Sequence, residues 1–140
     1  MGARVLDLYA GTGMLGIEAL SRGASWADFV EVDGRLVRHI RDSLHEMSLA
    51  EKSRVYRAKA ERVMGRLAGG YDLVFADPPY HLNVWERMMA TVGKRGFVNE
   101  SGVVVLEYRF GTTGLSETYG GLTQEMNRRY GDTAIAMYRA

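Results

Sequence analysis

Short apolar runs alternate with longer amphipathic stretches along almost the whole chain, and this rhythm predicts its elements. Residues 4–9 (RVLDLY), 27–33 (ADFVEVD), 53–58 (SRVYRA) and 73–76 (LVFA) have strand length and strand composition. The run 103–107 (VVVLE) is the most apolar and predicts a central or near-central strand. Leu36, Val37, Ile40, Leu44 and Met47 mark the buried face of a helix over 35–49, leaving Arg35, Arg38, Arg41 and Asp42 outward. Val63, Met64 and Leu67 mark a short helix over 60–67. Trp85, Met88, Met89 and Val92 mark another that follows Tyr80, and both stripes read as core. The last stretch breaks the rhythm: 122–130 and 133–138 predict two strands joined by a tight turn at Gly131-Asp132. Five β units with intervening helices and then a hairpin predict an α/β fold. Its sheet is doubly wound, mostly parallel and Rossmann-like, with an antiparallel C-terminal hairpin at one edge. No repeat, linker or low-complexity stretch interrupts it, so residues 1–140 are expected to form a single domain.

The first strand runs into Ala10-Gly11-Thr12-Gly13-Met14-Leu15-Gly16, a G-x-G-x-x-G run opening a helix through Leu20 that ends at Arg22-Gly23. Glycines permit the tight turn and a close approach of backbone to ligand. The pattern alone is weak; a strand before it, a helix after it and an acid roughly twenty residues on make it a nucleotide-type cofactor loop. Glu31 and Asp33 supply that acid, and share one side of a strand by its period of two. Glu31 is favoured to accept ribose hydroxyls. Asp33 is the second choice, and is also a natural N-cap for the next helix. The backbone at Ala58-Lys59-Ala60, where the third strand ends, is expected to edge an adenine ring.

Asp77-Pro78-Pro79-Tyr80 ends the strand 73–76 abruptly, because neither proline can donate to a ladder. These four residues make a stiff loop at the C-terminal end of a buried strand, where open α/β sheets place their ligands. Asp77 offers a carboxylate, Pro78 a carbonyl, and Pro79 removes an N–H that would compete. Two acceptors converging on an –NH2 can aim its lone pair at an electrophile, while Tyr80 offers a ring for a base to stack on.

A chain of 140 residues, 46% of them hydrophobic, is long enough for a real core. It has no cysteine, which excludes disulfides, thiolate metal sites and cysteine nucleophiles and fits a cytoplasmic setting. His39 and His45 flank the helix stripe without an acid to complete a site, so no metal is expected. No apolar run reaches membrane length and no signal-peptide pattern opens the chain. A net charge of +1 leaves nucleic-acid recognition to local clusters. These are Arg35/Arg38/Arg41, Arg54/Arg57/Lys59/Arg62, Lys94/Arg95 and Arg128/Arg129. Lys94/Arg95, coming after the helix that starts at the proline loop, is the expected RNA contact, and the others read first as solvated faces.

The fold pattern suits NAD as well as S-adenosylmethionine. Asp7, just ahead of the glycine turn, would repel a pyrophosphate but suits an ammonium, which favours the methyl donor. Together, residues 5–23 (VLDLYAGTGMLGIEALSRG), the Glu31/Asp33 strand end and Asp77-Pro78-Pro79-Tyr80 resemble class I S-adenosylmethionine-dependent methyltransferases acting on exocyclic amines. Within that group, residues 10–24 and the 130–133 turn are similar to the bacterial family that methylates guanine N2 in 16S ribosomal RNA. The resemblance implies S-adenosyl-L-methionine held by Asp7, Ala10, Gly11, Thr12, Gly13, Glu31, Val32, Asp33, Lys59 and Ala60. It implies catalysis by Asp77, Pro78, Pro79 and Tyr80, with 16S ribosomal RNA or the small ribosomal subunit as partner and a monomeric enzyme. That family carries a basic segment ahead of the first strand, and a chain opening at residues 1–3 reads as a truncated or shortened version. Three rivals share parts of the pattern: a DNA adenine-N6 or cytosine-N4 methyltransferase, a protein glutamine-N5 methyltransferase, and an idle cofactor- or rRNA-binding module.

Overall fold

The computed structural model describes residues 2–79, 82–111 and 114–140, and of residues 82–84 the backbone alone. Its elements run β1 (Arg4–Leu8), α1 (Met14–Ser21), β2 (Trp26–Glu31), α2 (Gly34–Glu46), β3 (Ser53–Arg57), α3 (Ala60–Val63), β4 (Tyr71–Ala76) and α4 (Leu82–Val92). Four strands complete the chain: β5 (Val98–Arg109), β6 (Thr118–Tyr119), β7 (Leu122–Tyr130) and β8 (Thr133–Arg139). They form one sheet in the order β3-β2-β1-β4-β5-β8-β7-β6. The first five are parallel, and β8, β7 and β6 extend the sheet antiparallel beyond β5. The expected architecture is therefore the observed one, with β6 as an additional outermost strand.

The period of two divides the core between the faces of the sheet. Val5, Ala27 and Phe29 pack with Leu20, Ile40 and Leu44 under α1 and α2. Leu6, Leu8, Val30, Val74 and Ala76 pack with Trp85, Met88, Met89 and Val92 of α4 on the other face. The α4 stripe is thus core, as its spacing predicts. In α2 the stripe is shorter than expected: the helix stops at Glu46, and Met47 is the exposed C-cap. His39 and His45 are exposed.

Other boundaries differ for identifiable reasons. β1 stops at Leu8 because Tyr9 turns to φ 56, a left-handed conformation that leaves the ladder. β2 stops at Glu31 because the Asp33 carboxylate accepts from the Arg35 N–H at 2.8 Å and caps α2. The helix expected over 60–67 is one α-turn followed by a 3-10 turn over Met64–Arg66. β5 is longer than its apolar centre, because β8 pairs with it from Val103 to Arg109 and β4 reaches back to Val98 across an irregularity.

The chain builds outward from β1 through β2 to β3, then returns to β1's other side at β4. A crevice opens at such a reversal, outside the C-terminal strand ends. The register makes the strand ends level there. Leu8 pairs with Ala76 and Ala76 with Leu106, so Tyr9 and Asp77 leave β1 and β4 abreast of Glu107, which stays in β5 and pairs with β8.

Candidate active site

Two cavities occupy this crevice. One, of about 500 Å³, is lined by Tyr9, Glu31, Val32, Lys59, Ala60, Glu61, Asp77 and Pro79, with Val30 and Ala58 at its base. The other, of about 360 Å³, is lined by Asp7, Ala10, Gly11, Thr12, Leu15, Phe75, Asp77 and Glu107 among others. Tyr9 and Asp77 line both, so the cavities meet along that pair.

Glu31 ties the glycine loop to β2. One carboxylate oxygen accepts from the Gly11 N–H at 2.8 Å and the other from the Asp33 N–H at 2.9 Å. The acid is held rigidly at the rim of the larger cavity, oriented to accept hydroxyls. Asp33, by contrast, lines neither cavity, and its carboxylate is engaged in capping α2. The expected pair of acids is divided: Glu31 faces the crevice and Asp33 serves the helix.

Asp7 alternates with Leu6 and Leu8 and so falls on the α1 face, where it is 3% exposed. Its Oδ2 accepts from the Gly16 N–H at 3.0 Å, fixing the first turn of α1 over the end of β1. Close packing makes Gly16 obligatory there: a Cβ would lie 2.4 Å from the Phe29 ring. Gly13, at φ 79, enters α1 against Ile40 and lines neither cavity. Burial pushes the Asp7 carboxyl up to about 7; the Gly16 hydrogen bond opposes this and the nearby Glu31 charge adds to it. Desolvation wins, and a cationic ligand group would relieve it.

Asp77 leaves β4 beside Glu107 of β5. Its surface remains open to solvent, yet it sits low enough in the cleft for burial to lead in raising its carboxyl to about 6. The charge of Glu107 and a side-chain hydrogen bond between the two acids rank next as causes. Pro78 is buried and Pro79 exposed at the cavity edge. Tyr80 lies outside the described residues.

Sequence reasoning did not single out Tyr9, Glu61 or Glu107 for the site. Tyr9 donates its hydroxyl to Glu61 at 3.1 Å, closing one wall of the larger cavity. The Tyr9–Glu61 contact spans distant parts of the sequence and had no local signal. Glu107 could have been found as the acid that closes the apolar run 103–106.

The basic clusters are redistributed. Lys94 and Arg95 sit where Arg95 bridges to Val98, and Val98 pairs with Tyr71 at the start of β4. α4 carries them to the end of the sheet opposite the crevice, away from the Asp77-Pro78-Pro79 loop. Arg128 and Arg129 instead lie at the β7–β8 turn, beside the crevice end of β5, with Arg129 4.0 Å over the Phe110 ring. Arg35, Arg38 and Arg57 share a cavity with Asp33 at the ends of β2 and β3. Among the described residues no group of three or more His, Asp or Glu could hold a metal, and no helix is long and apolar enough to cross a membrane.

Comparison with known proteins gives a consistent answer. A family model described as Conserved hypothetical protein 95 matches residues 1–139. YlbH of Bacillus subtilis, which carries an rRNA methyltransferase name, is 35% identical over 99% of this chain and 76% of its own length. Ribosomal RNA small subunit methyltransferase D of Escherichia coli K12 is 29% identical over 75% of this chain and 52% of its own length. The chain therefore matches about half the length of that relative. Among solved structures, the Escherichia coli protein yhhF, named as a methyltransferase, superposes with a TM-score of 0.89 at 25% identity. That match covers 99% of this chain and 77% of the other.

Proposed function

This chain belongs to the Conserved hypothetical protein 95 family, a methyltransferase family, and from that premise we propose that it methylates the exocyclic N2 amine of a guanine in 16S ribosomal RNA, using S-adenosyl-L-methionine in the cytoplasm. One observation carries the reading: Asp77 of the Asp77-Pro78-Pro79 loop opens onto both the cavity rimmed by Glu31 and the cavity floored by Asp7.

The residues present fit that cofactor. Glu31 would accept its ribose hydroxyls, Val32, Lys59 and Ala60 would edge its adenine, and Ala10, Gly11 and Thr12 would track its amino-acid tail. The Asp7 carboxyl, held high by burial, would be matched by an ammonium. When bound, the cofactor supplies an electrophilic methyl group on a sulfonium.

The chain's own residues do the rest. Asp77 and the Pro78 carbonyl accept the two amine hydrogens, which turns the nitrogen lone pair toward the methyl. As nitrogen gains positive charge, the same acceptors stabilise it, and Asp77 takes the proton that the methylated amine releases. Pro78 and Pro79 keep the loop from yielding. A flipped-out or unpaired base is required, since the amine must reach the floor of a crevice.

The test is transfer of labelled methyl to 16S ribosomal RNA, small subunits, DNA and a release factor, with mass analysis of the nucleosides afterwards. N2-methylguanosine from the rRNA is the expected product. Label in DNA or in a glutamine side chain would move the chain to a rival enzyme class. Cofactor binding without transfer to any of them would make it an idle module.

A further inference from the structure

We infer that Glu107 is a specificity residue that reads the N1–H of the target guanine, beside the Asp77 cradle for its N2 amine. This rests on the proposed guanine-N2 activity and extends it to a residue that neither the glycine loop nor the proline loop contains.

Strand register places it. β4 and β5 are parallel and level at Ala76 and Leu106, roughly 4.8 Å apart across the ladder, and Asp77 and Glu107 are the residues that follow that pair. Both line the cavity that also holds the glycine loop. The other side of Glu107 is fixed by β8, where it pairs with Ile135, which lines the same cavity. Phe75, Val105 and Ile135 give that cavity apolar walls that a flat base can lie against.

Base chemistry then distinguishes the occupants. The amines of adenine and cytosine are each flanked by a ring nitrogen that only accepts. The N2 amine of guanine has a donor, N1–H, as its neighbour. A carboxylate oxygen one strand over from the amine cradle accepts from that donor and disfavours an acceptor lone pair at the same point. Two adjacent acids also repel each other when both are ionised, and a base bringing N–H donors to each relieves that repulsion. Guanine alone among these three bases satisfies both acids.

A substrate cycle tests this. The modified nucleotide is first mapped by mass in rRNA treated with the wild-type chain. That guanine is then replaced by 2-aminopurine, which keeps the 2-amine and lacks the N1–H, in an RNA assembled by ligation. Wild type should lose on the order of 100-fold in kcat/KM on the analogue. Glu107→Ala should lose a similar factor on guanine RNA and little more on the analogue. Glu107→Gln, which can turn either amide atom to the base, should narrow the preference between the two RNAs. S-adenosylmethionine titration of each variant reports that the fold is intact. Equal losses on the analogue in wild type and both variants would overturn the role of Glu107 alone. A methyl group mapped to a base other than guanine would overturn the guanine-N2 activity and this inference together.

Discussion

Replacing Asp7 with asparagine isolates what a nearly uncompensated buried charge costs this fold. The folded carboxyl sits at about 7 against its ordinary 3.8. Because the folded value is the higher one, the native state binds the proton more tightly, and this group favours folding at low pH. That advantage is lost as pH rises from about 4 through 7, at about 1.4 kcal/mol per pH unit. Ionised Asp7 therefore costs the free protein about 4 kcal/mol by pH 8 and less than half of that at pH 5. Asparagine keeps an oxygen for the Gly16 N–H and carries no charge. Its own unmet amide hydrogens impose a penalty that does not change with pH. Urea unfolding of wild type and Asp7→Asn at pH 5 and pH 8 should show the variant's relative stability improving by about 2–3 kcal/mol across that interval. The same variant should bind S-adenosylmethionine more weakly by on the order of tenfold, measured by titration calorimetry, since the ammonium loses its counter-charge. A stability difference that stays constant between the two pH values would refute the buried-charge argument, whatever happened to binding.

Other predictions concern the loop, the helix and the rim. Gly16→Ala should cost about 1–3 kcal/mol in thermal or urea unfolding, because its Cβ would stand 2.4 Å from the Phe29 ring. Wild-type kcat/KM should fall as pH drops through about 6, where Asp77 gains a proton and stops accepting from the amine; a rate independent of pH down to 5 would argue against it. Asp77→Asn should remove nearly all turnover while S-adenosylmethionine affinity changes little. Arg128→Ala with Arg129→Ala should weaken rRNA binding and flatten its dependence on salt, whereas Lys94→Ala with Arg95→Ala, at the opposite end of the sheet, should leave both nearly unchanged.

Much of this was readable in the chain because burial imposes its own spelling. Val5, Leu6 and Leu8, Ala27, Phe29 and Val30, and Val104 and Leu106 are apolar because they are covered, and α4 shows its buried stripe at helical spacing; Asp7 and Asp28 are the buried exceptions. Ends were harder, since partners set them. Asn99, Glu100 and Ser101 lie in β5 although nothing in their composition favours a strand, and Ser101 adopts φ 67. Met47 continues an apolar period past the point where α2 has already ended. At the site, Glu31 and Asp77 were visible because each closes a strand beside a glycine or proline signal. Tyr9 and Glu107 carry no such signal, and only the pairing of β1, β4 and β5 sets them next to Asp77. The place of Lys94 and Arg95 was not legible because α4 runs away from the crevice, so following the proline loop in sequence puts them at the other end of the sheet.

Because Asp77 and Glu107 follow directly after the last rung of one parallel ladder, backbone amides act as the ruler between them. Lengthening the turn between β7 and β8 leaves that gap untouched, so that turn is free to diverge as a reader of what surrounds the target. A single residue inserted within β4 would instead rotate the acid to the opposite face of the sheet.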